Sequence, residues 1–108
     1  MKRKKAYIEH PEVAKFIQGQ PESIQDEYVD LVDRLQADGF LVRPHAEKVE
    51  PGLFAMRIRR GGNVRVFYAY DDGETIYGLH AYEKKSQSIP SAALRLARQR
   101  ARQIRGVP

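Results

Sequence analysis

The chain has 108 residues, no cysteine and a formal net charge of +5. That length bounds it to one small domain, burying roughly 60–70% of the surface its unfolded form exposes. Disulfides and thiolate zinc sites are excluded, and the composition is compatible with a reducing cytoplasm, where the protein is expected.

The basic start Met1-Lys2-Arg3-Lys4-Lys5 is not followed by an apolar run, so no signal peptide is expected. The longest apolar stretches are only a few residues, so no membrane span is expected either. The positive charge is regional. Residues 1–50 hold 8 Lys/Arg against 10 Asp/Glu, a net −2, whereas residues 51–108 hold 11 against 4, a net +7. The second half therefore favours an anionic partner, nucleic acid ahead of membrane because its arginines are interleaved with aromatics. A solvated basic face is the plainer alternative.

In chain order, Ala6-Tyr7-Ile8 can form a short strand before His10-Pro11, where proline suits the first turn of a helix. That helix is predicted over Pro11 to Gln18, with Val13, Phe16 and Ile17 as its buried stripe and Gly19 as its stop. A longer helix is predicted from Pro21 to about Asp38, with Ile24, Tyr28, Leu31 and Leu35 facing inward and Gly39 closing it. Its outer face carries Glu22, Asp26, Glu27, Asp30, Asp33 and Asp38 against the single cation Arg34. The pairs Asp26/Asp30 and Asp30/Asp33 have helical neighbour spacing and could in principle serve acid/base or metal chemistry, but a charged face that keeps the helix soluble is the stronger reading. Phe40 to Gly52 reads as a connection, with room for one short strand at Leu41-Val42. His45 lies there with no second histidine at metal-ligand spacing.

From Leu53 the period becomes two. Phe54, Met56 and Ile58 alternate with Ala55, Arg57 and Arg59, as in a strand with one face in the core and one in water. Gly61-Gly62-Asn63 makes a hairpin turn. A second strand, Val64 to Asp71, follows, then a second turn at Asp71-Asp72-Gly73. A third strand runs from Thr75 to Lys84, with Ile76, Gly78, His80, Tyr82 and Lys84 on one side and Thr75, Tyr77, Leu79 and Ala81 on the other. Three strands joined by short turns form an antiparallel meander. Ser88-Ile89-Pro90-Ser91 ends the sheet and starts a helix to about Arg105, with an apolar stripe of Leu94, Ala97, Ala101 and Ile104. Beside it runs a stripe of Arg95, Arg98, Arg102 and Arg105, readable as a phosphate rail or as a solvated rim.

The segments Gly52-Leu53-Phe54-Ala55-Met56-Arg57-Ile58, Val64-Arg65-Val66-Phe67-Tyr68 and Leu79-His80-Ala81-Tyr82-Glu83-Lys84-Lys85-Ser86, with Pro90 after them, resemble the HigB branch of the RelE/ParE toxin superfamily. Within it they are most similar to its phage-derived toxin-like proteins. The resemblance implies an α+β fold in one domain, residues 1–108, with two N-terminal helices packed on a twisted antiparallel β-meander and a C-terminal helix. It further implies a small bacterial toxin neutralised by an antitoxin encoded beside it, expected to be a helix-turn-helix protein. Many relatives enter the ribosomal A site and cut mRNA there. Carried over by position, the basic strand residue falls at Arg57, the strand arginine at Arg65 and the basic pair after the strand at Lys84 and Lys85. Ser86 and Ile89 stand where threonines are common. No residue matches the tyrosine that some relatives use near the last helix, which leaves the acid/base assignment open.

Cutting RNA without a metal or cofactor requires the 2′-hydroxyl to attack its neighbouring phosphate. A proton must leave the hydroxyl, the phosphorane charge must be stabilised, and the departing 5′-oxygen must be protonated. Arg57 and Arg65 suit charge stabilisation, because a guanidinium binds phosphate bidentately and stays charged. Lys84 and Lys85 can hold phosphate, or transfer a proton if neighbouring cations lower their pKa. His80 is a candidate general acid or base, a role that typically contributes ~10²–10⁴-fold in rate. Arg59, Arg95 and Arg98 are candidate RNA contacts, and Tyr68 and Tyr82 either stack on bases or pack in the core. These residues support a ribosome-dependent mRNA endonuclease toxin. The competing readings are a ParE-like, non-enzymatic DNA gyrase inhibitor and an inactive phage-borne member that only binds RNA or an antitoxin.

Overall fold

A computed structural model describes residues 4–106; of the basic leader Met1 to Lys5, residues 1–3 lie outside them. The chain runs β1 (Ala6–Glu9), α1 (Pro11–Gln18), α2 (Glu22–Asp38), β2 (Ala46–Glu50), β3 (Leu53–Ile58), β4 (Val64–Tyr70), β5 (Thr75–Glu83) and α3 (Ser91–Ile104). Local chemistry explains the helix boundaries. Pro11 occupies the first turn of α1, where a missing N–H costs nothing, while the His10 ring Nδ1 accepts the Glu12 backbone N–H at 3.1 Å. Gly39 ends α2 in the left-handed region at φ 86°, and its N–H returns to the Leu35 carbonyl.

The five strands form one sheet in the order β1-β5-β4-β3-β2. β2 through β5 pair antiparallel, whereas β1 pairs parallel to β5, so the sheet is mixed and wider than the expected meander. Two differences from the sequence reading lie at its edge. Leu41-Val42 is not a strand, and the strand of this connection is β2, four residues later. Its register against β3 shifts between Lys48 and Glu50, and that irregularity hides the period-two signal in a five-residue segment.

Both faces of the sheet are covered. α1 and α2 pack Val13, Ile17, Ile24, Tyr28, Leu31 and Leu35 against Met56, Ile58, Val64, Val66, Tyr68 and Ile76. On the opposite face α3 lays Ala93, Ala97 and Ala101 against Leu53, Ala55, Phe67, Ala69, Leu79 and Tyr82. The expectation of one face in water is therefore corrected. The i, i+4 row of alanines presents small side chains to the sheet, while Leu94 and Ile104 flank it half-buried.

A bulge sets which β5 residues face which layer. Phe67 pairs with His80 and Tyr68 with Gly78, leaving Leu79 without a partner. The simple alternation over Thr75 to Lys84 therefore fails after Leu79. Ala81 joins the layer under α1 and α2, and Tyr82 joins Tyr77 and Leu79 under α3. At the other end of β3, Gly61 takes φ 83° in the hairpin to β4, a conformation other residues adopt only with strain. The Glu27 carboxylate on α2 accepts the backbone N–H groups of Arg59 at 2.9 Å and Arg60 at 2.6 Å, tying this hairpin to the helix.

Candidate functional site

The register that builds the α3 face also builds a row of functional side chains. Arg57 on β3 stands opposite Arg65 on β4, and Arg65 stands opposite Tyr82 on β5. Directly opposed residues share a face, so two guanidinium groups are forced together beside a phenol. Pairing continues one step past β5, where the Lys84 N–H donates to the Asn63 carbonyl at 2.7 Å. That bond brings the segment after β5 alongside the start of β4. Arg57, Asn63, Arg65, Lys84, Lys85, Ser86 and Gln87 thereby line an open cleft of about 460 Å³.

Arg65 is only 3% exposed, and its buried NH1 atom has no hydrogen-bond partner among the described residues. The buried Nε of Arg57 is likewise without a partner. Buried charges are ordinarily paired, because leaving water without compensation is costly. Burial, and then the Arg57 charge, hold the Arg65 guanidinium below its ordinary pKa, opposed by Glu47 and Tyr82. Even so displaced, an arginine remains a cation near neutral pH. The floor of the cleft therefore carries concentrated positive charge with donors to spare.

Lys84 is half-buried at the rim and Lys85 is exposed, with only a 3.8 Å surface ion pair to Glu83. A surface pair of this kind is worth little and yields easily to a stronger anion. The four cations that the sequence singled out here, Arg57, Arg65, Lys84 and Lys85, are thus brought to one place. Arg59 is exposed just beyond β3 and close enough for its charge to weigh on Arg65.

The other sequence candidates are placed differently. His80 does not line the cleft. It lies among Arg100, Glu12 and His10, where burial and then the Arg100 charge lower its pKa. Its Nδ1 is buried without a partner among the described residues. Arg100, which sequence reasoning missed because it falls between the members of the arginine stripe, bridges the molecule there. It donates to the Leu79 carbonyl at 2.7 Å and to the Glu12 carboxylate, joining α3 to β5 and α1.

Tyr68 is 1% exposed in the core under α2, stacked with Phe54 at 5.5 Å, so its ring has no face for a base. Tyr82 is 8% exposed and stacks on Phe67 at 5.4 Å. Its hydroxyl pKa is raised by burial, with Arg65 opposing, and its place beside Arg65 suits packing the cleft wall. Arg95 is exposed on α3. Arg98 is held by Glu50 through contacts of 2.7 and 3.1 Å, and Arg105 donates to the Gly52 carbonyl at 2.7 Å. The arginine stripe is therefore not a continuous rail, since two of its four members clamp α3 to the turn between β2 and β3.

The acidic face of α2 is solvated, and of the paired aspartates Asp30 meets Arg60 at 3.8 Å. Among the described residues no three His, Asp or Glu side chains converge to hold a metal ion, and no helix is long and apolar enough to cross a membrane. Sequence reasoning also missed Glu47. On β2, opposite Ala55 of β3, it shares the α3 face of the sheet and is the carboxylate whose charge reaches both Arg65 and Tyr82.

Comparison with curated proteins gives no significant match. The model of the family described as Phage derived protein Gp49-like (DUF891) matches residues 15–102. The match takes in α2, the four antiparallel strands, the whole cationic cleft and all but the end of α3. On that extent, the chain belongs to the Gp49-like family of phage-derived proteins.

Proposed function

We propose that the protein is the toxin of a type II toxin–antitoxin pair, and that it cuts mRNA on the ribosome with the cleft between β3, β4 and the segment after β5 as its phosphate site. The observation that carries this reading is Arg65: a buried guanidinium, unpartnered at NH1, opposed by a second arginine and opening on a cleft lined by two lysines. Such an arrangement disfavours the empty state and is relieved by a bound anion. Family membership and the RelE/HigB-like motifs of residues 52–90 support the toxin reading.

In this reading the RNA phosphate that is attacked sits over Arg57 and Arg65. Their forks stabilise the extra negative charge of the phosphorane more than the charge of the starting diester, which is the condition for lowering the barrier. Lys84 and Lys85, which line the same cleft, hold the phosphate or deliver a proton to the departing 5′-oxygen. His80 serves as acid or base only if the ribosome or RNA bridges the cleft and the Arg100 cluster. The partner is a helix-turn-helix antitoxin whose acidic segment covers the basic half, and the complex works in the cytoplasm.

The test is expression in bacteria with primer extension on a reporter message. Codon-phased cuts are expected, and they should vanish in an Arg65→Ala, Lys84→Ala double variant that retains a folded spectrum. Growth arrest with intact message and damaged DNA would instead support the gyrase-inhibitor reading. No arrest at all would support the inactive member.

A further inference from the structure

We propose that the pocket between β1 and α2 holds an arginine side chain of a protein partner, with Glu9 receiving the guanidinium and the Gln36 amide meeting a backbone carbonyl beside it. The pocket, of about 300 Å³, is walled by the rings of Tyr7 and Tyr28 and by Val29 and Val32. It lies in the layer of α1 and α2, on the opposite face of the sheet from Tyr82 and the Arg65 that stands beside it. The proposal therefore does not rest on the RNA reading.

A chain of hydrogen bonds builds the site. Burial raises both phenols well above their ordinary pKa, so each keeps its proton. Tyr28 donates to Glu9 Oε2 at 2.6 Å, and Tyr7, 2.9 Å away, donates to Tyr28, whose own proton is already committed. Tyr7 is seated over Gly78, where any side chain would collide with its hydroxyl. Two polar groups are left over. Glu9 Oε1 accepts nothing from a described residue, and neither Glu9 nor Asp33 forms an ion pair with one, whereas Glu12, Asp30, Glu50 and Glu83 each do. Gln36 is only 7% exposed, and its Oε1 accepts the Tyr7 N–H at 3.0 Å, which leaves its Nε2 without an acceptor among the described residues. A pocket-lining amide so deeply buried and only half satisfied points to a ligand that brings an acceptor.

What fits is a cation and a neutral acceptor joined by an apolar stem. An arginine residue has all three: a guanidinium for Glu9 and Asp33, methylenes for Val29 and Val32, and its own carbonyl for Gln36. Its flat, weakly hydrated head also suits the tyrosine rings better than an ammonium does. The volume is at the bottom of the roughly 300–1,000 Å³ typical of small-molecule sites, room for one side chain rather than a cofactor. Charge favours a basic protein segment here and nowhere else on the chain. Val29, 54% exposed, is flanked on α2 by Asp26 and Asp33 at helical neighbour spacing, whereas residues 51–108 are net positive and repel such a segment.

Amide NMR titration of the whole isotope-labelled chain with acetyl-Gly-Gly-Arg-Gly-Gly-amide, and with the same peptide carrying citrulline, the uncharged isostere of arginine, tests the proposal. Saturable shifts are expected at Tyr7 to Glu9 and at Tyr28 to Gln36. The citrulline peptide should bind about tenfold more weakly, the low end for a hydrogen bond to a charged group. Glu9→Gln, which can still accept from Tyr28, and Val29→Lys, at an exposed position, should each weaken the arginine peptide by about the same factor in a chain whose spectrum stays folded. Equal binding of the two peptides would overturn the proposal, as would the absence of saturable shifts at these amides. An Asp26→Asn, Asp30→Asn variant that loses as much affinity as Glu9→Gln would overturn it too, by showing attraction spread along the helix face. None of these outcomes bears on phosphate binding at Arg65, so the RNA reading stands or falls separately.

Discussion

Arg57 and Arg65 stand directly opposite each other on adjacent antiparallel strands, and neither makes an ion pair with a described residue. Like charges in that position oppose folding, and burial of one of them adds to the cost. The pair is therefore a place where stability is given up, which is the ordinary signature of a binding site.

It follows that Arg65→Met, which keeps a long flexible side chain and removes the charge, should stabilise the fold. The expected gain is about 1 kcal/mol, below the 1–4 kcal/mol seen when buried ionic clusters become apolar, because only one charge is removed. Urea denaturation should show a higher midpoint at an unchanged slope, together with loss of anion binding. A lower midpoint would mean that the guanidinium has a partner in solution.

The hairpin that presents Asn63 is held from the far side by Glu27, whose single oxygen Oε1 accepts two backbone N–H groups. Glu27→Ala removes both contacts and should cost about 1–2 kcal/mol. The loss should be local, so hydrogen exchange at the Arg59 and Arg60 amides is expected to accelerate more than exchange in β4. Glu27→Gln keeps an acceptor at the same place and should recover most of the protection.

Much of this fold was legible because its period is clean. Pro11, Gly39, Gly61 and Pro90 punctuate the chain where the elements change, and the stripe Ile24, Tyr28, Leu31 and Leu35 is buried as its spacing indicates. What could not be read were tertiary choices. A single bulge at Leu79 sends Tyr82 to the α3 face, and no local signal in Tyr77 to Tyr82 fixes where the extra residue falls. The cationic cluster could be anticipated as residue types but not as a cleft, because its closure depends on the bond between Lys84 and Asn63. Arg98 and Glu50 lie 48 residues apart in the chain, so nothing local shows that this arginine is engaged.

His80 should leave a pH signature. Burial first, then Arg100, hold it below its ordinary value of 6.5 in the folded protein, with Glu12 opposing. As pH falls, the unfolded chain takes up this proton before the folded chain does. Stability is therefore fully present above the unfolded pKa, and it declines as pH drops from there toward the folded value. Glu12 and Glu50, lowered by Arg100 and Arg98, act in the same direction but only in the range below 4.5. Denaturation midpoints followed through pH 6.5 should fall in the unaltered protein and stay flat in His80→Gln. An equal fall in both would show that another group carries the effect.

The salt dependence of RNA binding separates the cleft from the helix stripe. Each cation that neutralises a phosphate of a single strand contributes about −0.7 to the slope of log affinity against log salt. If Arg57, Arg65, Lys84 and Lys85 make the contacts, a short single-stranded RNA should bind with a slope of roughly −3. Lys85→Ala, at an exposed position with a weak surface pair, should remove about one unit-cation step from that slope. Arg98→Ala should leave it unchanged, because the guanidinium is already neutralised by Glu50. An Arg98→Ala variant with the reduced slope would show that RNA displaces Glu50 and that α3 belongs to the binding surface. The unchanged slope would confine the nucleic-acid contact to the sheet end where Arg57 meets Arg65.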